Sequence, residues 1–140
     1  MNLEEAYELE ALVVGNLLND PELKKSIAVL PEYFFDPSCA NIVEYVTERK
    51  EYNLYDMCKE LDINFELVTE LADNPADKKT FQYRVTKLID IFNVRERVWD
   101  EMRAARAALD NNIDPIRIAS ILRTNVGKIL DQGTISTVSD

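Results

Sequence analysis

The stretch from about residue 77 to residue 110 constrains the fold most, because one apolar pattern continues through all of it. Its apolar positions recur in steps of three, four or seven, which is the period of an amphipathic α-helix. They are Phe81, Val85, Leu88, Phe92, Trp99, Met102 and Leu109. Thirty helical residues span roughly 45 Å, which is too long for one compact small domain. We therefore expect the far half of this helix to leave the globular part and to pack on another element.

A second amphipathic segment follows the break "LDNNIDP". Asp114 is a suitable N-cap, and Pro115 suits the first helical position. Apolar residues then recur at helical spacing up to about residue 131. Because the connection is short, the pattern predicts an antiparallel helical hairpin over residues 91–131. Residues 132–140 are expected to begin a linker.

Residues 1–90 carry the signals of about five short helices. The first, over about 3–18, is apolar on more than one face, which is typical of a central helix. An Asp-Pro pair, an N-cap followed by a residue suited to the first turn, opens the second helix at Asp20 and the third at Asp36. The segments "YNLYDMCKEL" and "INFELVTELAD" supply the fourth and fifth. The buried face of the second helix is expected to be Leu23, Ile27 and Leu30.

The fold class that follows is all-α: a compact globule of about five short helices plus a protruding long-helix hairpin. Only three glycines occur, and no β-branched run alternates strictly with polar residues. Both observations disfavour a sheet protein. The predicted division is a helical globule over 1–90, the hairpin over 91–131 and the start of a linker over 132–140.

The residue content excludes most catalytic chemistry. Histidine is absent, and the two cysteines, Cys39 and Cys58, form no Cys-x-x-Cys pair, so neither a zinc site nor a hydrolase triad is expected. No Gly-x-x-x-x-Gly-Lys-Ser/Thr phosphate loop occurs. The sequence predicts no catalytic residue, metal or cofactor in this chain. Reduced cysteines, an acidic N-terminus unlike a signal peptide and the lack of a long apolar run favour a cytoplasmic protein without membrane contact.

The formal net charge of −10 is concentrated in the first part of the chain. Residues 1–90 hold 9 Lys or Arg and 19 Asp or Glu, a balance of −10, whereas residues 91–140 hold 7 of each. An acidic surface repels phosphate backbones. We therefore expect at most weak direct contact with nucleic acid.

The densest aromatic cluster lies in "LPEYFFDPSCANIVEYV", residues 30–46. It could form a ligand cage, an exposed partner patch or a structural anchor. No cationic or planar ligand is indicated nearby, and Pro31 and Asp36-Pro37 account for the turn and the helix start. We interpret the aromatics as an anchor that holds this turn on the first helix near Gly15, a position where close helix packing is expected.

The hairpin carries more apolar residues than two helices can bury against each other, since such a pair buries one stripe per helix. At helical spacing Trp99 and Met102 are more often part of a hairpin core than of an exposed partner surface, although both interpretations fit. We expect the surplus to pack on another subunit or protein. The candidate interface consists of Val98, Trp99, Met102, Ala105, Arg106, Ile116, Ile118 and Leu122.

Two of these segments resemble a known family. "ELEALVVGNLLND" resembles the opening helix of the N-terminal domain of DnaB-type replicative DNA helicases, and "LPEYFFDPSCANIVEYV" is similar to the segment that follows it there. The resemblance spans nearly the whole chain, but the hairpin matches by pattern only. Ser38 and Cys39 replace a histidine common in the family, and a Gly-rich connector is missing. The signature residues are Glu10, Gly15, Asp20, Phe34, Phe35, Asp36 and Pro37.

The resemblance implies the collar domain of a hexameric, ATP-dependent helicase from a phage or a divergent bacterium. Such a domain pairs through its hairpins into a dimer or a trimer of dimers, recruits primase or a helicase loader, and lets single-stranded DNA pass through the assembled ring. ATP and Mg²⁺ would be bound only by a C-terminal motor domain that this sequence lacks. The alternative is a free-standing regulator, or the helicase-binding module of a primase, with the same fold.

Overall fold

Helices make up the regular structure in the part of the chain that the computed structural model describes, residues 2–133. This part contains six α-helices and two 3₁₀ turns and no strand. The α-helices are α1 (Leu3–Asn19), α2 (Pro37–Glu48), α3 (Leu54–Leu61), α4 (Phe65–Ala72), α5 (Lys78–Asp110) and α6 (Pro115–Gly133). The 3₁₀ turns are Pro21–Lys25 and Pro31–Tyr33. The predicted all-α fold class is confirmed.

The contacts within the chain divide it into two compact units, one up to Ile89 and one from Asp90 onward. We call residues 2–89 the N-terminal unit and residues 90–133 the hairpin unit; α5 contributes to both. Residues 132 and 133, predicted as linker, belong to α6. Residues 134–140 of the predicted linker lie outside the described residues.

The prediction of an α-helix after Asp20 is wrong. Asp20 does cap there, since its Oδ1 accepts a hydrogen bond from the Glu22 amide at 3.2 Å, but only a 3₁₀ turn follows. Leu30, predicted as buried, is exposed in an extended conformation. It precedes Pro31, and the proline ring disfavours the helical region for the residue before it. Leu23 is buried as predicted, and Val29 is buried in place of Leu30.

The other helix starts follow the capping signals. The Oδ1 atoms of Asp36, Asn64 and Asp114 accept hydrogen bonds from the amides of residues two or three positions later. Asp77 does the same for Thr80 at 2.7 Å and so begins α5. Each side chain satisfies a backbone donor that has no partner within its helix.

The core of the N-terminal unit forms around α1, as its apolar surface on several faces predicts. Val13, Val14 and Leu17 of this helix have at most 1% of their surface exposed. The other helices of the unit contribute apolar side chains to the same cluster, and both cysteines are buried there. Outside α1, the least exposed side chains of this cluster are Val43, Val46, Met57, Val68, Phe81, Val85 and Leu88.

Gly15 marks a close approach between α1 and the end of α4. A Cβ at this position would overlap the carbonyl oxygen of Leu71 and lie 3.4 Å from the Asn74 Cβ. The next residue, Asn16, is fully buried. Its Nδ2 donates to the Asn74 carbonyl at 2.7 Å, and its Oδ1 accepts from Arg84 Nη1 at 2.8 Å. This polar network, which sequence reasoning missed, connects α1, the α4–α5 loop and α5.

The aromatic segment is anchored on α1 through Glu10 rather than near Gly15. The buried Glu10 carboxylate accepts hydrogen bonds from the amides of Phe35 and Asp36, both at 3.0 Å. Phe34 is buried, whereas Phe35 is 51% exposed and lies edge-on to the Tyr7 ring at 6.0 Å. Phe34, which is buried in the core, and the Glu10 carboxylate on α1 thus anchor the segment.

Within residues 2–133, the chain contains no helix of sufficient length and apolar character to cross a bilayer.

Candidate functional site

The hairpin turn is built by four residues between α5 and α6. Asn112 adopts the left-handed conformation, with φ of 61°. The Ile113 amide donates to the Ala108 carbonyl at 3.1 Å, and the Asn112 amide donates to the Leu109 carbonyl at 3.0 Å. This pair of bonds is a Schellman motif, which satisfies the last carbonyls of a helix, and asparagine tolerates its left-handed position. Asp114 then caps α6, so the chain reverses in the space of the segment "NNID".

One face of each helix is directed towards the other. On α5 the less exposed positions recur at steps of four and three, and on α6 they do the same. Ile118 and Ile129 are the buried members on α6. We call this set the inner seam: Val94, Val98, Glu101, Ala105, Ala108, Ile118, Leu122, Asn125 and Ile129.

Hydrogen bonds between side chains of α5 and α6 fix the register of the hairpin. Asn125 Nδ2 donates to Glu101 Oε2 at 3.0 Å, and Arg97 Nη2 donates to Gln132 Oε1 at 2.7 Å. From the first bond to the second, the α5 residue changes from 101 to 97 and the α6 residue from 125 to 132, so the two helices are antiparallel. The predicted antiparallel arrangement of the two helices is confirmed.

A second stripe runs along α5 beside the inner seam. Trp99, Met102, Arg106 and Leu109 each follow an inner-seam residue by one position and are therefore rotated about 100° from it. Trp99 is 43% exposed, Met102 45% and Leu109 47%, and Arg106 is also exposed. We call these four residues the outer stripe. It presents a mainly apolar face that the described hairpin leaves uncovered.

Apolar exposure continues around the turn and onto α6. Ile113 is 48% exposed, and Ile116, in the first turn of α6, is 82% exposed. Ile121 and Leu130 are also exposed. Seven of the fifteen exposed large apolar side chains in residues 2–133 thus lie in the hairpin unit.

A groove of about 570 Å³ lies between the two helices near the turn. Small residues of α5 line it (Ala104, Ala105 and Ala108), and apolar side chains of α6 and the turn complete it. Glu101, Arg117 and Asn125 are its polar members. We call this the hairpin groove. A groove with small and apolar lining accommodates inserted apolar side chains, as a packed protein interface requires.

The structure separates the eight predicted interface residues into two groups. Val98, Ala105, Ile118 and Leu122 belong to the inner seam, whereas Trp99, Met102, Arg106 and Ile116 are exposed. Assignment of Trp99 and Met102 to the hairpin core is therefore wrong, because those positions are rotated away from α6. Leu109, Ile121 and Leu130 are equally exposed apolar residues of the hairpin that the predicted set does not include. The seven-residue step from Met102 to Leu109 is the signal that could have found one of them.

The predicted signature residues have structural roles in the N-terminal unit. Asp20 ends α1, since its amide donates to the Asn16 carbonyl at 3.0 Å, and its side chain caps the 3₁₀ turn. Asp36 and Pro37 begin α2. Glu10 accepts hydrogen bonds from the Phe35 and Asp36 amides, Gly15 permits the close approach of α4, and Phe34 is buried in the core. Phe35 alone among them has a large exposed side chain.

The arrangement in the hairpin unit is suited to binding protein. An exposed apolar stripe and an apolar groove each stabilise a complex when they are removed from water. Comparison of the chain with models of protein families found no matching family, and comparisons with curated proteins and with solved structures found no match either.

Proposed function

We propose that this chain is the N-terminal assembly domain of a DnaB-type hexameric replicative helicase, in which the hairpin pairs subunits and the collar recruits primase or a loader. The observation that carries the proposal is the outer stripe, and the hairpin groove adds a second apolar surface on the same hairpin. Both lie on the element that the family resemblance assigns to subunit pairing. The all-α fold and the structural roles of the signature residues also support it.

The charge distribution favours the hairpin as the surface through which copies associate. Residues 1–90 have a balance of −10, so two N-terminal units repel each other. Residues 91–140 carry seven charges of each sign, so two hairpins meet without net repulsion. Apolar burial between hairpins then acts against a much smaller electrostatic cost.

In this proposal the chain supplies assembly and not catalysis. ATP and Mg²⁺ are bound by a separate motor domain, and single-stranded DNA passes through the ring that the collar helps to form. The acidic N-terminal unit supports a weak or indirect contact with that strand. The parent protein is then an ATP-dependent DNA helicase acting in the bacterial cytoplasm.

Size-exclusion chromatography with light scattering tests subunit pairing. We expect a mass above that of the monomer at high concentration, and we expect Trp99→Ala or Met102→Ala to lower it because each removes exposed apolar surface from the outer stripe. Tyr83→Ala is the matched control, since Tyr83 is 56% exposed but lies in the N-terminal unit. A strict monomer that also fails to bind the primase of the same genome would contradict the proposal.

The reading frame separates this function from the alternative. A Walker motif encoded downstream of Asp140 identifies a helicase, whereas a stop codon there favours a free-standing regulator or a primase module. The mass in solution tests subunit pairing and the reading frame tests the helicase assignment, so either result can contradict its part of the proposal without the other.

A further inference from the structure

An exposed aromatic pair joins α3 to α4 in the N-terminal unit. Tyr55 lies in the first turn of α3 and Phe65 in the first turn of α4. Their rings meet edge to face, with centroids 5.7 Å apart and an interplanar angle of 74°. Tyr55 is 58% exposed and Phe65 42% exposed. Two large rings therefore remain in contact with water on the same side of the helix pair.

The sequence around this pair is strongly acidic. Residues 51–73 contain seven carboxylates and one lysine, Lys59, which gives a balance of −6. Asp56, Asp62 and Glu66, which adjoin the two rings or lie between them in sequence, are exposed. In the described part of the chain the carboxylates of these three residues make no ion pair and accept no hydrogen bond. Their charge is thus available to a partner.

We propose that this surface, Tyr55 and Phe65 with Asp56, Asp62 and Glu66, binds an arginine-containing peptide segment of another protein that also carries apolar side chains. The rings offer faces on which a guanidinium can lie and apolar area for an aliphatic side chain. The carboxylates accept the guanidinium hydrogen bonds in a planar, bidentate geometry. The inference does not depend on the proposed helicase function.

The negative charge of this surface disfavours nucleic acid and a second N-terminal unit as its occupants. Nucleic acid is disfavoured because phosphates would approach a cluster of unpaired carboxylates. A second N-terminal unit is disfavoured for the same reason, since it is acidic too. A basic segment is attracted at a distance and is held by the rings after contact.

The T-shaped pair also has a purely structural interpretation, in which it only holds α3 against α4. The two interpretations differ in their response to charge. A structural pair is indifferent to Asp62→Asn and Glu66→Gln, whereas a binding surface loses affinity for a cationic peptide with either change. Asp62 has a positive φ of 56°, a conformation that asparagine tolerates, so Asp62→Asn is expected to leave the fold intact.

The experiment uses the full chain and a fluorescein-labelled synthetic peptide of alternating arginine and leucine. Fluorescence anisotropy gives the affinity, and ¹⁵N–¹H correlation spectra locate the bound peptide. We expect the perturbed amides to lie in α3 and α4, and we expect Tyr55→Ala, Phe65→Ala and the double charge variant Asp62→Asn/Glu66→Gln each to weaken binding by about tenfold. Binding should weaken as salt is added.

Two matched controls complete the design. Tyr83→Ala removes an equally exposed ring that has the Lys87 ammonium 5.1 Å from its centroid, and it should leave the affinity unchanged. A peptide with glutamate in place of arginine should not bind. Perturbations confined to other regions, an affinity insensitive to the charge variant in a folded protein, or binding of single-stranded DNA at the same amides would each overturn the inference. So would the absence of binding by the arginine peptide.

Discussion

Replacing Gly15 by alanine tests the close approach of α1 and α4. The added Cβ would overlap the Leu71 carbonyl oxygen and lie 3.3 Å from the Leu71 carbonyl carbon. That oxygen also accepts a hydrogen bond from Asn74 Nδ2 at 2.8 Å. A backbone carbonyl in this position cannot rotate away as a flexible side chain could. The end of α4 must therefore move relative to α1.

The magnitude follows from opposing terms. Overpacking of a closed contact costs about 1–3 kcal/mol, and weakening the Asn74 hydrogen bond costs about 0.5–1.5 kcal/mol. Alanine in place of glycine within a helix raises the free energy of unfolding by about 1 kcal/mol. We expect Gly15→Ala to lower the free energy of unfolding by about 2 kcal/mol. In a unit of this size that corresponds to a decrease in Tm of about 8–16 °C.

Gly127→Ala in α6 is the matched control, because a Cβ there would meet no atom within 4 Å. It gains the helix propensity without the clash, so we expect it to raise the free energy of unfolding by up to about 1 kcal/mol. Urea unfolding followed by far-UV circular dichroism gives both values. If Gly15→Ala were as stable as the wild type, or if both variants shifted in the same direction, the steric reasoning would be refuted.

Three further substitutions test the N-terminal unit by unfolding measurements. Glu10→Gln should cost about 1–3 kcal/mol, because glutamine has a single side-chain oxygen and so leaves one of the two part-buried amides of Phe35 and Asp36 without its acceptor; an unchanged urea midpoint would contradict this. Phe34→Ala should cost about 3–5 kcal/mol, since the ring is buried; a loss below about 1 kcal/mol would mean that the ring is not packed. Burial, with nearby acidic charges, raises the pKa of the Cys39 thiol from 9.0 to about 12. Between these two pH values the folded state keeps the thiol proton and the unfolded state loses it. The contribution of the Cys39 thiol to the free energy of unfolding is therefore complete below pH 9 and is lost as the pH rises towards 12. Cys39→Ala should flatten the alkaline decrease in Tm, and equal slopes for both proteins would count against the assignment.

Part of the fold could be predicted because its signals are local. Asp36-Pro37 and Asp114-Pro115 each place a capping oxygen and a preset φ at one helix start, and neither needs a distant partner. The break "LDNNIDP" similarly contains its own turn chemistry in Asn112. The prediction failed at residues 20–30, where the same Asp-Pro signal opens only a 3₁₀ turn.

The candidate site was harder to predict because adjacent helix positions differ by only about 100° in direction. Val98 and Trp99 are both apolar, and periodicity could not decide which of them meets α6. The position of the turn and the Glu101–Asn125 hydrogen bond select Val98. Trp99 is then left on the outer stripe, where it is available to a partner.

Side-chain patterns along the sequence sufficed to predict that the chain is helical, where most helices begin and that the acidic charge lies in residues 1–90. These properties depend on side chains and their near neighbours. The folded structure was needed to find that Glu10 accepts hydrogen bonds from the Phe35 and Asp36 amides, and that Asn16 bonds to residues 58 and 68 positions away. Such contacts depend on how the chain folds back on itself, and a buried polar group requires a partner whatever the distance along the sequence.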